Sequence, residues 1–467
     1  MGPTDWTGLV RELAAPGEPD WVALEGDGRS LTIRQLDEAM RRAAGVLAGE
    51  HTPVAVRSAD PLLHTVGVLG AVAAGRVAML VDHRQPDDVV AETMQRAGAT
   101  TVVGEGGLGL DALTDAAAAE PAAVDPAAPG SIFLTSGSTG RPKLVQRSRN
   151  ADLHAAMCLR LAGFPIDLGD RHWMCVPYAS AAFLTLTMGA LLARATVVFA
   201  TFDRDAVDGF LARERISSAY LVPTMLRLAR ERDGLDGPGW RGLRALMTGG
   251  EKLDQPTAEV LAERFAGRVY CAYGMTECPR LTQARFEEIV QRPGTVGRTI
   301  PFRHVRIAAL DADADVPQGE EGEVLVGGPD LYDRYVGEPP VEGWHRTGDL
   351  GRVDADGYLY ITGRASSVVK VGGNRVSTEE VAAQLRRHER VAQAAVVAVE
   401  DPMWTNRLVA FIVPAGALEA DDLRAWAGEH LAAYKVPREV RWLDELPVDR
   451  SGKVSLTRLH ALAAQPA

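Results

Sequence analysis

The sequence predicts an α/β protein in two parts. The first is a large N-terminal domain with helix-covered, mainly parallel sheets and a small β-barrel-like subdomain over about residues 293–362; the second is a small mobile α+β C-terminal domain. Three observations predict this. Strand-like and helix-like segments alternate from about residue 20 to residue 292. The texture then changes to short strands joined by tight turns. A small, flexible junction, Gly363-Arg364-Ala365-Ser366-Ser367, then precedes a stretch of mixed strands and helices. The expected boundaries are 1–364 and 365–467.

The elements follow in order. Residues 21–24 and 31–33 are strand-like, and Thr32 suits the cap of a helix over 34–48. A strand at 54–57 leads to Asp60-Pro61, which opens a helix to about 74, and 77–81 is strand again. A helix over 89–97 and a strand over 100–103 complete this set. Residues 116–129, rich in Ala and Pro, form a surface connection. The rhythm resumes with helices at 150–161, 181–193, 205–215, 223–232 and 256–265. Strands at 172–176, 196–199, 216–221, 243–247 and 269–272 separate them. Short strands at 305–309, 322–326, 351–353 and 358–361 make the barrel-like part. Last come a hairpin at 368–376, a helix opened by Ser377-Thr-Glu-Glu380, strands at 394–399 and 408–413, a helix at 421–431 and a strand at 440–442.

Composition narrows the function. Hydrophobic residues are 46% and charged residues 24% of the 467, an ordinary globular balance. The net charge of −12 argues against a nucleic-acid partner. Cys158, Cys175, Cys271 and Cys278 show neither metal spacing nor a disulfide framework, which points to reduced thiols in a cytoplasmic protein. The most apolar stretch, 65–80, is too short to cross a bilayer. No basic segment precedes an apolar run at the start, so no signal peptide is expected.

The residues richest in chemistry lie at 131–143. Ile132-Phe133-Leu134 is a short apolar run after Pro129-Gly130, as in a buried strand. Thr135, Ser136, Gly137, Ser138, Thr139 and Gly140 follow, and then Lys143. Gly137 and Gly140 are free to take positive φ. Successive N–H groups in such a loop form a nest for an anion, the hydroxyls add donors, and Lys143 adds a point charge. The loop suits polyphosphate, although no Gly-Lys-Ser/Thr makes it a Walker loop. Solvated Ser/Gly linkers share this composition. The strand before the loop and Pro142-Lys143 after it argue for the anion cradle.

Two more strand ends open into glycine-containing turns, Thr248-Gly249-Gly250-Glu251 and Tyr273-Gly274-Met275-Thr276-Glu277. Ligands of open α/β sheets bind outside the carboxyl ends of strands, so all three turns are expected at one crevice. Singly, Gly249-Gly250 also reads as a plain turn and Tyr273 as a half-buried aromatic. Asp349, in Arg346-Thr347-Gly348-Asp349, has the chemistry to accept from two ribose hydroxyls or to cap its own turn. Gly452 presents Lys453 at a loop tip, where most lysines are solvated charges.

In combination, order and spacing, these stretches resemble the superfamily of adenylate-forming enzymes: acyl- and aryl-CoA synthetases, peptide-synthetase adenylation domains and luciferases. The resemblance covers about residues 20–458 and is greatest to acyl-CoA synthetases. It implies an adenylation core followed by a lid. It implies that residues 135–140 and Lys143 embrace the β- and γ-phosphates of ATP. Gly249, Gly250 and Glu251 match the adenine-side strand end, and Tyr273, beside Gly274, matches the ring that stacks on adenine. Thr276 then touches the α-phosphate and Glu277 holds Mg²⁺. Asp349 and Arg364 match residues at the ribose, and Arg375 matches an arginine that meets phosphate in one domain orientation. Lys453 matches the lysine that bridges the carboxylate and ATP, which makes Lys453, Thr276 and Glu277 the implied catalytic residues. Gly372 and Gly373 resemble the loop beside a pantetheine tunnel. Tyr434-Lys435-Val436-Pro437-Arg438 resembles a stretch common in acyl-CoA synthetases, so coenzyme A is the implied acceptor.

Two positions depart from the pattern. Ser366 stands where the hinge usually carries Asp or Lys, and Ser180 stands where His often gates the pocket. No Asp lies there to pair with an α-amino group, which disfavours an α-amino acid. The pocket wall expected from Tyr178, Ser180, Phe183, Met247, Met275 and Cys278 is mostly apolar and suits an acyl or aryl acid. The resemblance thus implies an ATP-dependent, AMP-forming acid–thiol ligase. The alternatives are an adenylating enzyme that loads a carrier protein or forms an amide, and a non-catalytic nucleotide-binding relative.

Overall fold

The computed structural model describes residues 5–135, 142–163, 166–265, 269–310, 312, 314–372, 374–448 and 454–465. The chain divides into two compact units. One is Met1–Val305 with Val326–His345 and Asp356–Leu359; the other is Arg306–Leu325 with Arg346–Ala355 and Tyr360–Ala467.

Two sheets carry the βα alternation in the first unit. One runs in space through Thr295–Thr299, Cys278–Arg285, Val269–Met275, Ala245–Gly249, Ser218–Tyr220, Arg171–Met174, Thr196–Phe199, Val22–Gly26 and Arg29–Thr32. Its pairs are parallel from Val269–Met275 to Val22–Gly26 and antiparallel outside that stretch. The other runs through Arg334–Tyr335, Lys143–Ser148, Pro129–Thr135, Ala78–Val81, Val54–Arg57 and Thr101–Gly104. Ala78–Val81 and Ala245–Gly249 are buried along their whole length, as strands covered by helices on both faces must be.

Helix starts follow local chemistry. Asp60 accepts from the N–H groups of Leu62 and Leu63, and Pro61 takes the first helical position of Pro61–Ala73. Every residue of that helix is buried, which explains its apolar composition all round. Thr32 and Gln35 form a capping box on Ile33–Leu47. Among the described residues, no helix is long and apolar enough to cross a membrane. The four cysteine thiols are free.

Two strands that the sequence reading left as loop bear on the site. Lys143–Ser148 pairs antiparallel with Pro129–Thr135, and Cys278–Arg285 pairs antiparallel with Val269–Met275. Each holds a buried arginine, Arg147 or Arg280. A charge on the core side breaks the apolar–polar alternation by which a strand is recognised.

Two histidines of this unit, His64 and His172, are completely enclosed. Burial holds both imidazoles neutral, His64 down to about 3 and His172 down to about 4 from an ordinary 6.5. On acidification the unfolded chain binds protons first. The stability these groups lend is therefore complete above the unfolded value and is lost as pH falls below it. Each histidine withdraws about 2 kcal/mol by pH ~5. Thermal melts should show a stability loss between pH ~7 and ~5 that His64→Gln and His172→Gln reduce.

The second unit is built on a three-stranded sheet. Val391–Asp401 pairs antiparallel with Thr405–Pro414, which pairs parallel with Glu439–Trp442. Alternate residues face opposite sides. Ala394, Val396, Leu408, Ala410 and Ile412 pack with Val381 and Leu385 of Thr378–Leu385 and Leu423 of Ala420–His430. Ala395, Val397, Val409 and Phe411 pack with Leu459 and Ala463. Those last two lie on Leu456–Ala463, a helix the sequence reading did not include. The expected hairpin is present as Val368–Val371 against Asn374–Ser377.

Candidate active site

The Val269–Met275 and Cys278–Arg285 hairpin is tight: Met275 pairs directly with Cys278. Thr276 and Glu277 are therefore the two residues at its tip. Gly274 is required just before the tip, because a Cβ there would meet the Pro279 carbonyl oxygen at 2.4 Å. Two bonds fix the tip: Arg147 Nη1 donates to the Thr276 carbonyl at 3.3 Å, and Tyr332 N–H donates to the Glu277 carbonyl at 2.9 Å. Arg147 is itself held by Asp152 at 2.6 Å and by the Asp330 carbonyl at 2.9 Å.

The carboxylate of Glu277 faces a short polar chain. Tyr335 Oη donates to Glu277 Oε1 at 2.7 Å, and Lys143 Nζ stands 4.4 Å from the centre of the Tyr335 ring. Lys143 and Thr135 are opposite one another at the ends of their strands. Burial and the accepting carboxylate push the Tyr335 phenol well above its ordinary value. The neighbouring Tyr332 is pushed up to about 12 by burial, and its hydroxyl lies 3.2 Å from His345 Nδ1. Both phenols stay protonated at neutral pH. The second oxygen of Glu277 receives no hydrogen bond among the described residues. One free carboxylate oxygen, together with phosphate oxygens and waters, is a donor set that Mg²⁺ accepts, so the residues present fit that ion.

Beside the hairpin tip lies a cavity of about 180 Å³. Gly250, Gly274, Met275 and Thr276 line it, as do Ser180, Thr185, Tyr220, Met247 and Arg280. The turn at 248–251 is thus brought to the same place as the turn at 273–277. Gly249 leaves no room for a side chain, since a Cβ would lie 2.5 Å from the Ala272 carbonyl. Glu251 accepts from Thr224 N at 3.3 Å and Thr224 Oγ1 at 2.7 Å, which ties the turn to the start of helix Pro223–Asp233. Tyr273 is half-buried and pairs with Thr282.

The expected pocket wall needs correction at three residues. Ser180, Met247 and Met275 line the cavity, whereas Tyr178, Phe183 and Cys278 are outside its lining. Phe183 and Tyr178 pack against each other with tilted rings 5.3 Å apart, and both pack on His64; their rings are engaged with the core. Cys278 is fully buried, with Sγ 3.9 Å from Asp330 Oδ1. Ser180 caps helix Ala181–Leu192, accepting from Phe183 N at 3.1 Å and donating to the Pro177 carbonyl at 2.7 Å.

In the second unit, Asp349 and Arg364 are brought together: Arg364 Nε is 2.7 Å from Asp349 Oδ1. The carboxylate is nearly buried and the guanidinium is 63% exposed. Thr347 Oγ1 receives Asp349 N–H at 3.0 Å. Ser366 is exposed within the single 3-10 turn Ala365–Ser367. Gly372 has φ +54°, and a Cβ would meet Trp404 at 2.7 Å, so no side chain fits there. Lys435 pairs with Glu380 at 2.6 Å. Ser136, Gly137, Ser138, Thr139, Gly140, Gly373 and Lys453 lie outside the described residues, as does the side chain of Arg375. Sequence reasoning did not single out Arg147, Tyr220, Arg280, Tyr332 or Tyr335.

A helix-covered parallel sheet and a hairpin-tip carboxylate beside Lys143 suit a nucleotide-handling enzyme of the adenylate-forming kind. Residues 12–336 match the family model of the AMP-binding enzyme, and residues 380–453 match that of the AMP-binding enzyme C-terminal domain. The chain belongs to the AMP-binding enzyme family and is an ATP-dependent, AMP-forming ligase by that membership. A feruloyl-CoA synthase from Amycolatopsis sp is 30% identical over 93% of this chain and 94% of its own length. The uncharacterized acyl–CoA ligase YhfT of Bacillus subtilis (strain 168) is 29% identical over 95% of this chain and 96% of its own. The fold is shared with the o-succinylbenzoate CoA synthetase of Bacillus subtilis, solved in complex with its acyl-adenylate intermediate. That match has a TM-score of 0.85 and 24% identity, and covers 98% of each chain.

Proposed function

We propose that this ligase activates a carboxylic acid as its acyl-adenylate and passes the acyl group to coenzyme A. One observation carries the reading: Thr276 lines the cavity while its neighbour Glu277 heads the Tyr335 and Lys143 chain. A pocket for an acid and a site for phosphate chemistry meet at one hairpin tip.

In the first step a carboxylate oxygen bonds to the α-phosphorus, the bond from that phosphorus to the bridging oxygen breaks, and pyrophosphate leaves. Both reactants are anions, so positive groups must offset their repulsion. Lys143 and Lys453 supply charge from this chain. Mg²⁺, when held by Glu277 and phosphate oxygens, adds charge of its own. Tyr335 orients the Glu277 carboxylate through one oxygen. Asp349 and Arg364 take the ribose, and Tyr273 the adenine. In the second step the thiol sulfur bonds to the acyl carbon, the acyl–phosphate bond breaks, AMP leaves, and the thiol proton passes to solvent. Gly372 and Lys435 belong to this thiol side. The free thiols of the protein suit a cytoplasmic setting.

The test is acid-dependent ATP–pyrophosphate exchange over a broad carboxylate library, followed by offer of coenzyme A, a carrier protein or hydroxylamine. Exchange with at least one acid, and a CoA thioester from it, is the expected result. Adenylate that forms but ignores coenzyme A moves the acceptor to a carrier protein or an amine. Exchange with no acid at all reduces the reading to nucleotide binding.

A further inference from the structure

The first unit buries five arginines: Arg76, Arg147, Arg149, Arg280 and Arg303. Four of them have a carboxylate. Arg76 meets Glu50, Arg147 meets Asp152, Arg149 meets Asp5, and Arg303 meets Asp330. Arg280 has none among the described residues. Its side chain reaches the Leu159 carbonyl only at 3.5 Å and otherwise touches the neutral amide of Gln283. Its Nε is buried with no hydrogen-bond partner. A buried, unneutralised guanidinium is unfavourable, and arginine cannot escape by losing its proton in neutral solution. Burial lowers this one to about 10, which still leaves it charged.

Arg280 lines the 180 Å³ cavity. Tyr220 lines it too, and burial holds its phenol protonated as a donor. The rest of the lining is largely apolar, from Leu159, Leu186, Met247 and Met275. The volume is below the ~300 Å³ at which pockets for drug-sized ligands begin, which favours a short acid. We propose that Arg280 is a specificity-determining residue that receives a second, distal carboxylate of the substrate, so that the acid activated here is a short dicarboxylic acid. This rests on the reading above that the cavity takes the acid. One carboxylate is adenylated at the hairpin tip; the other neutralises Arg280 and remains unchanged.

Chain-length-matched pairs test this: aliphatic diacids of four to eight carbons and benzene dicarboxylic acids, each against its monomethyl ester. With the wild-type protein, kcat/KM for acid-dependent exchange should favour the best diacid over its half-ester by on the order of 10²-fold or more, as for a site built around a polar partner. R280M should lose that preference while its half-ester rate is kept or raised; R280K, which keeps the charge, should retain the direction with smaller size. Equal rates for diacid and half-ester in the wild type overturn the proposal. So does an equal loss of both in R280M, which would place Arg280 at the reacting carboxylate instead. Binding is read separately, by calorimetry with diacid and half-ester on wild type, R280M and R280K without ATP. If no acid supports exchange, the proposed ligase function fails, and this measurement still decides. Binding of a diacid that is weakened in R280M and not in R280K sustains the anion site; diacid and half-ester binding alike removes it.

Discussion

Lys453→Ala should lower acyl-adenylate formation by on the order of 10²–10³-fold, the usual loss when one positioned donor to a developing charge is removed. The reason is electrostatic. A carboxylate approaching a triphosphate brings anion to anion, and charge accumulates on the leaving pyrophosphate as the bond to the α-phosphorus breaks. A lysine supplies charge as a compact point with three donors, which suits a role needed in one step and not the other. Thioester formation from a preformed acyl-adenylate has no pyrophosphate to expel, so K453A should keep it. Exchange of labelled pyrophosphate reads the first half-reaction, and release of AMP from added adenylate plus coenzyme A reads the second. Equal loss in both would end this division of labour. Lys453→Arg keeps the charge but spreads it over a planar fork, and should recover part of the first half-reaction only.

The turns were legible in the sequence because backbone sterics demand them. Gly249 and Gly274 each sit against a carbonyl oxygen that excludes a Cβ, and glycine after an apolar run reports that directly. Helix starts at Asp60-Pro61 and Thr32 were legible for the same local reason. The machinery around Glu277 was not. Arg147 and the Asp330 carbonyl are 183 positions apart, and Tyr335 and Glu277 are 58 apart, so no local pattern joins them. The pocket wall failed differently. Helix Ala181–Leu192 is apolar and buried almost all round; its periodicity therefore does not say that Phe183 faces the core while Ser180 and Thr185 face the cavity. Arg280 was hidden most thoroughly, since a charged residue in a strand is ordinarily read as solvent-facing.

Asp330→Asn should destabilise the first unit by about 3–5 kcal/mol, the cost of leaving one member of a buried ion pair without the other. Arg303 and Asp330 pair with neither side chain exposed at all. Asparagine fills the same space but leaves the Arg303 guanidinium charged and uncompensated, because arginine has no neutral form to adopt. The reverse substitution is gentler. In Arg303→Met the orphan is a carboxyl that burial already pushes upward, so it can take up a proton and shed the charge. R303M should therefore cost less than D330N, and its cost should shrink as pH falls. The double variant R303M/D330N should be more stable than the two single losses added together, since removing both charges of a buried pair is often near neutral. Urea unfolding of the four proteins gives these differences, and equal costs for the two single variants at every pH would contradict the asymmetry. The consequence reaches the site through one carbonyl. Asp330 O accepts from Arg147, and Arg147 donates to the Thr276 carbonyl. A loosened Asp330 thus loosens the hairpin tip, and the KM for Mg·ATP in folded D330N should rise more than kcat falls.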